Sequence, residues 1–281
     1  MLKFKVTQID DDARIDKFLK RQLPNVPYSL IYKLLRKGAI KINGKKVKQD
    51  SRVSIEDIVI TPNISIDHIP QIKPLFILPI TTVYEDDHLI IIDKPCGIAV
   101  QGGSKQRTNL IEQIEFSMNS KIYPVHRLDK ETSGLIIFGK NNLIAKLLSE
   151  KFKSSQIKKT YIAIIEGKPK WNNKVVNESI TKTDNGETKY LKATTHFQRK
   201  KVGNRFTMVE AQPITGRKHQ IRLHLLHLGY PIYGDKKYNV SKEKVKRMYL
   251  HASQLTFDHP ITKKCLSVKS PINDLTDVFK Q

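Results

Sequence analysis

Residues Tyr123 to Lys140 read YPVHRLDKETSGLIIFGK. A charged cluster, His126 to Glu131, meets a small-residue turn, Thr132-Ser133-Gly134, and then an apolar β-type run, Leu135 to Phe138. The layout sets a carboxylate, Asp129, on a loop braced by a strand. Arg127 nearby would keep that carboxylate ionised and, if the two pair, hold it in place. Asp129 is then suited to act as a nucleophile or base. The plainer alternative is a surface ion pair in a turn, which contributes little.

The 281-residue chain is long enough for about two domains, and its 39% apolar content supports a real core. The net charge of +23, from 50 Lys and Arg against 27 Asp and Glu, points to a polyanionic partner. No apolar run reaches the ~20 residues of a membrane-crossing helix, and the start MLKFKVTQIDDD has no signal-peptide core. A cytoplasmic protein with no membrane association is expected. Cys96 and Cys265 lie far apart and suggest neither a disulfide nor a CxxC metal site. Both are expected to be reduced and structural.

Residues 12–60 read as a small α/β unit. Ile15, Phe18, Leu19 and Leu23 give an amphipathic helix that ends before Pro24, and Ser29 is a plausible cap for a second helix. That helix places Ile31, Leu34 and Leu35 on one face, with Gly38 just past its end. AIKI and KKVK flank Asn43-Gly44, a strong hairpin signal. The unit holds 12 basic against 5 acidic residues. Lys33, Arg36 and Lys37 cluster on the second helix and Lys45 and Lys46 on the hairpin, a surface suited to phosphates. Residues 61–80 contain Pro62, Pro70, Pro74 and Pro79 and read as a partly extended linker.

From residue 81 onward β-type runs surround an Asp86-Asp87 turn, followed by DKPCGIAVQGG with a loop at Gly102-Gly103. A short helix is expected near Leu110 to Phe116. Asn141 should cap a helix that turns Leu143, Leu147 and Leu148 inward. KKTYIAIIEG reads as a strand in which Tyr161 is, by local sequence, a core or cross-strand residue. Hairpins are expected at Asp184-Asn185-Gly186 and at Gly203-Asn204. In ITGRKHQIRLHLLHLGYPIYGDKKY, Ile221, Leu225 and Leu228 before Gly229 mark a helix. Arg222 sits on it among apolar residues and needs an acidic partner, for which Asp129 is nominated. Two more strands are expected around His259-Pro260.

HRLDKETSG resembles the HRLDxxTSG signature of the RluA/RluC/RluD group of pseudouridine synthases. DKPCGIAVQGG is similar to the DKPxGL segment of that group, KKTYIAIIEG to its KxYxAxVxG motif, and residues 213–238 to TGRxHQIRxHxxxxGxPIxGDxxY. Lys218 stands where that motif often has threonine or serine. The 12–60 unit resembles an S4 RNA-binding domain, and VPYSLIYKLLRKG is most like the RluC type.

The resemblance implies an α+β protein: an S4 domain of the α-L type, then a catalytic domain over 81–281 on a mixed, largely antiparallel sheet. It implies isomerisation of specific uridines to pseudouridine in 23S ribosomal RNA or a large-subunit precursor, by a monomer using no cofactor or metal. Asp129 would be catalytic, Tyr161 would lie against the base, and Arg222 would pair with Asp129. Arg127, His126 and Arg217, with Lys33, Arg36, Lys37, Lys45 and Lys46, would contact the RNA. Asp93 and Lys94 are poor catalytic candidates, since that segment is mainly structural.

Three alternatives stay open: an RluD-like specificity, a non-catalytic S4-containing assembly factor, and a hydrolase that releases the base. Hydrolysis would usually want a second carboxylate, and Glu131 is the only one close in sequence. His219, His224 and His227 form an H-x4-H-x2-H array that could bind zinc, but no acidic or cysteine ligand accompanies it.

Overall fold

The protein is described by a computed structural model over residues 1–24, 26, 28–63, 79–102, 109–184, 187–239 and 245–279. It divides into two compact units, Met1–Lys73 and Pro74–Gln281. Most of the expected linker, residues 64–78, lies outside the described residues, as do Gly103 and the Asn185-Gly186 turn.

The first unit contains β1 (Leu2–Lys5), α1 (Ile15–Gln22), α2 (Tyr28–Arg36), β2 (Lys41–Ile42), β3 (Lys45–Lys46) and β4 (Ile58–Thr61). Its antiparallel sheet runs β1-β4-β2-β3. The apolar stripes of the helices close on Ile40, Val53 and Val59, with Ile15, Phe18, Leu19 and Ile31 almost wholly buried. Asn43 and Gly44 both have positive φ, 49° and 81°, the conformation a two-residue hairpin turn demands. Lys33, Arg36, Lys37, Lys45 and Lys46 are all exposed. Two details differ from expectation. The second helix opens at Tyr28, before Ser29, and the alternating LKFK at the amino terminus forms a strand paired with β4.

The second unit holds β5 (Thr81–Glu85), β6 (Leu89–Lys94), α3 (Leu110–Met118), β7 (Tyr123–Pro124), β8 (Ser133–Gly139), α4 (Asn142–Lys153) and β9 (Lys158–Glu166). After them come β10 (Asn173–Val176), β11 (Ile180–Asp184), β12 (Glu187–Leu191), β13 (Thr195–Val202), β14 (Phe206–Pro213) and α5 (Gln220–His227). The unit ends with β15 (Leu250–Asp258), β16 (Cys265–Lys269) and α6 (Asn273–Thr276). The main sheet runs β10-β13-β14-β9-β15-β8-β6-β5, with β16 on β15 and β7 on β8. Only β15 and β8 are parallel among the described pairings. β11 and β12 form a separate hairpin.

Strands β8 and β9 read as unbroken apolar runs because the sheet is covered on both faces. Ile136 and Phe138 pack with Leu110 and Ile114 on one side, while Leu135 and Ile137 pack with Ile144 and Leu148 on the other. Asn141 caps α4, its side chain accepting the Ile144 N–H at 2.9 Å. Leu143 does not turn inward as expected: it is 63% exposed, and Ile144, Ala145 and Leu148 form the buried face. Strands β7 and β8 bracket the loop that carries Asp129.

Candidate active site

The loop between β7 and β8 is held from three directions. Lys94 is fully buried and its ammonium donates to the carbonyls of Pro95, Ile98 and Lys130 at 2.9, 3.0 and 3.1 Å. The Gly97 N–H donates to the same Lys130 carbonyl at 2.9 Å. Across the loop, the Thr132 N–H donates to the Asp129 carbonyl at 3.1 Å, and Leu128 is buried beneath. Burial lowers the Lys94 pKa to about 8. Satisfying three carbonyls makes it a brace for the loop rather than an acid or base facing substrate.

His126 is a second brace. Its Nε2 accepts the Ile137 N–H at 3.1 Å, and its ring stacks on Phe152 at 4.3 Å. It does not line the cleft where Asp129 sits. Burial, with the charge of Lys159, lowers its pKa to about 3. The unfolded chain takes up a proton near 6.5, the folded chain only near 3, so stability is lost as pH falls from 6.5 towards 3. Between pH 7 and pH 5, the wild type should lose about 2 kcal/mol more than His126→Gln, whose amide oxygen can still accept from Ile137. Urea unfolding at the two pH values measures this. Parallel losses in both proteins would show that His126 is not held neutral.

The ion pair nominated across 93 residues of chain forms. Arg222, 6% exposed on α5, places Nη1 at 3.0 Å from Asp129 Oδ2. Its Nε and Nη2 are taken by a second carboxylate, Asp235, each at 2.8 Å in a two-pronged contact. Asp235 is 1% exposed and also accepts the N–H groups of Lys237 and Tyr238 at 3.0 and 3.2 Å. Burial by itself would lower the Arg222 pKa, but the bonds and charge of Asp235, joined by Asp129, raise it. The guanidinium therefore stays charged and fixed between two acids.

His219, in a left-handed conformation (φ 57°) at the start of α5, completes the group. Its Nδ1 lies 2.8 Å from the Tyr238 hydroxyl and its Nε2 lies 3.6 Å from Asp129 Oδ2. Burial lowers its pKa against the pull of Asp129. The other histidines of the array are engaged elsewhere: His224 bonds Thr195 and the Glu178 carbonyl, and His227 faces Glu178.

Asp129, Tyr161, Arg222, Arg127, Arg217 and Lys159 line one cleft of about 340 Å³, within the range of small-molecule sites. Tyr161 is on β9, and burial, together with the Asp129 charge, pushes its hydroxyl pKa upward. The site thus holds a neutral phenol beside a fixed carboxylate. Arg127 lines the rim and is exposed, but makes no ion pair with Asp129 among the described residues. Its expected bracing role falls to Arg222. Arg217 is exposed at the same rim and donates to the Lys192 carbonyl at 3.1 Å. The S4-like cations sit on the first unit.

Sequence reading missed Asp235 and Tyr238, and offered His219 only as part of a zinc array. A signal for the first was present: Asp235 is the only carboxylate between Glu210 and Glu243. A buried guanidinium has five N–H donors, more than one carboxylate can satisfy.

Residues 88–227 match the RNA pseudouridylate synthase family and residues 13–59 the S4 domain. The ribosomal large subunit pseudouridine synthase C of Buchnera aphidicola subsp. Baizongia pistaciae is 34% identical, covering 95% of this chain and 93% of that protein. The synthase C of Escherichia coli O157:H7 is 31% identical over 96% of this chain and 92% of its own length. Among solved structures, human RNA pseudouridylate synthase domain containing 4 aligns with a TM-score of 0.59 at 25% identity, covering 71% of this chain and 92% of that one. No described helix is long and apolar enough to cross a membrane. With its S4 domain followed by a synthase domain, and with near full-length similarity to these enzymes, the chain belongs to the RluA-type family of RNA pseudouridylate synthases.

Proposed function

We propose that this enzyme converts specific uridines of 23S ribosomal RNA, free or in a large-subunit precursor, to pseudouridine, with Asp129 as the catalytic residue. The observation that carries the assignment is the Asp129 carboxylate, held by Arg222 at 3.0 Å inside a cleft that also presents Tyr161. Residues 12–60 act as the S4 domain and 81–281 as the catalytic domain. The exposed Lys33, Arg36, Lys37, Lys45 and Lys46 supply phosphate contacts, which position the RNA without reading its sequence.

The reaction needs the uridine out of its stack, so the nucleotide is flipped into the cleft, with Arg127 and Arg217 at its rim. The C1′–N1 bond breaks with its electron pair on the base. Asp129 drives this by attack at C1′ or by taking the C2′ proton. The freed base turns, C5 bonds to C1′ as Asp129 leaves that carbon or the proton returns to C2′, and the proton lost from C5 is balanced by one gained at N1. Tyr161 lies against the base, and its raised pKa keeps the phenol protonated until a base approaches. Arg222 holds and aims Asp129. Glu131 is exposed and outside the cleft lining, which disfavours a two-carboxylate hydrolase.

Carbodiimide and primer-extension mapping of unmodified 23S rRNA should show new pseudouridine stops with the wild type and none with Asp129→Ala. The positions of the stops distinguish RluC-like from RluD-like specificity. Modification by Asp129→Ala, or free uracil in place of pseudouridine, would overturn the assignment.

A further inference from the structure

Among the described residues, the cleft holds one buried cation without a protein partner. Arg222 is committed to Asp129 and Asp235, while Arg127, Arg217 and Lys218 are exposed at the rim, where water and RNA phosphates reach them. Lys159 differs from all of these. It lines the same cleft yet is only 9% exposed, and among the described residues its ammonium has neither a hydrogen bond nor an ion pair. A buried charge without a partner is costly and is normally paired or absent. Lys94, the other buried lysine of this region, shows the usual solution, with three carbonyls around its ammonium.

Lys159 and Tyr161 stand two residues apart on β9. Side chains at i and i+2 of a strand share a face, with a separation of about 6.7 Å. A uracil ring lying on Tyr161 therefore has its polar edge within reach of the lysine side chain. Resting on the assignment of uridine isomerisation above, we infer that Lys159 is a further catalytic residue, whose ammonium takes up the negative charge that appears on the uracil as the C1′–N1 bond breaks.

The electron pair of that bond moves onto N1 and spreads to O2 and O4, giving a uracil anion. Lys159 meets one of those oxygens, the base turns within the ion pair, and the anion's C5 then bonds to C1′. Forming that bond discharges the base, with Asp129 released from C1′ as a carboxylate or its proton returned to C2′, and the later loss of the C5 proton is matched by proton uptake at N1. A cation placed where charge develops favours the transition state over the neutral ground state. Burial lowers the Lys159 pKa, a cost that an anionic uracil beside it removes.

The test compares wild type, Lys159→Met and Lys159→Arg under single turnover, on a 23S rRNA transcript made with uridine and on one made with 5-fluorouridine. Consumption of the target nucleoside is followed by chromatography. Fluorouracil leaves as a more stable anion and needs the cation less. Lys159→Met should slow the uridine reaction about 10²-fold while leaving RNA affinity within about twofold. On the fluorinated transcript the same loss should shrink to about tenfold or less, and Lys159→Arg should retain at least about a tenth of the wild-type rate. The Tm of Lys159→Met should equal or exceed that of the wild type, because an unpaired buried charge has been removed.

An equal loss on both transcripts would overturn the inference, as would an unchanged rate or a sharply lowered Tm. So would a loss confined to RNA affinity, which would assign the lysine to a phosphate. Wild-type inactivity, or full activity of Asp129→Ala in the same assay, would instead overturn the underlying assignment of uridine isomerisation.

Discussion

Asp235→Asn is expected to lower kcat about 10²-fold, leave RNA affinity unchanged, and destabilise the catalytic unit by roughly 3 kcal/mol. Asp235 lies outside the cleft lining and is 1% exposed, so RNA does not touch it. Its work is done on Arg222, whose Nε and Nη2 it holds at 2.8 Å. Arg222 thus meets two carboxylates, and Asp129 is bound to it through a single oxygen. Removing the Asp235 charge leaves Arg222 with Asp129 as its only counter-ion. The guanidinium is then free to turn and clamp Asp129 with two prongs, which occupies the oxygen needed for chemistry. Removal of one partner of a buried pair typically costs about 3–5 kcal/mol, and the remaining amide acceptor places this case at the low end. Asp235→Glu should do no better, since an added methylene has no room in a site this enclosed. Single-turnover rates, RNA binding and urea unfolding of both variants make the measurement. A kcat within about threefold of wild type would show that Arg222 aims Asp129 without help from Asp235.

The parts of this site that sequence made legible are those governed by local chemistry. Asn43-Gly44 announces its turn because both residues tolerate positive φ, and both adopt it. The Asp129–Arg222 pair was accessible because a cation on an apolar helix stripe must find an acid, wherever the chain puts one. Asp235 was missed because that reasoning stopped at the first partner, although a guanidinium's donors demanded more. Arg127 neighbours Asp129 in sequence, but the carboxylate is held instead by Arg222, 93 residues away in the chain. Leu143 was placed inward by helical spacing, yet at the first turn of α4 the buried face is set by how the helix docks on β8, through Ile144 and Leu148. β1 was overlooked because four residues of alternation carry no weight until a partner strand, β4, is known. Lys159 stands at the lysine of the KxYxAxVxG stretch, but its local sequence does not separate it from the many other lysines of the chain. Its distinction is burial without a partner, and only the fold determines that.

Gly134→Ala is expected to prevent accumulation of folded enzyme at 37 °C. Gly134 has φ 105°, which L side chains rarely adopt, and a Cβ there would lie 2.3 Å from the Ala252 carbonyl oxygen and 2.6 Å from the Ala252 nitrogen. Both obstacles are backbone of β15, at the short parallel register where Ser133 meets His251 and Gly134 meets Ala252. A flexible side chain could swing away from such a contact, but a strand can retreat only by separating from its neighbour. Separation would also disturb β9, which pairs with the other edge of β15 and carries Tyr161, and the loop that carries Asp129 five residues before Gly134. Gly97→Ala is the control. It too has positive φ, 88°, but open space where a Cβ would stand, so it isolates the conformational cost at about 1–2 kcal/mol. Gly134→Ala should cost at least about 4 kcal/mol, a large share of the roughly 5–15 kcal/mol that holds a typical domain together. Urea unfolding of the two variants side by side decides the matter. Equal losses would mean that backbone strain alone explains glycine at this turn. A much larger loss at Gly134 would assign the glycine of the TSG turn to the junction of two strands, one leading out of the Asp129 loop and the other backing Tyr161.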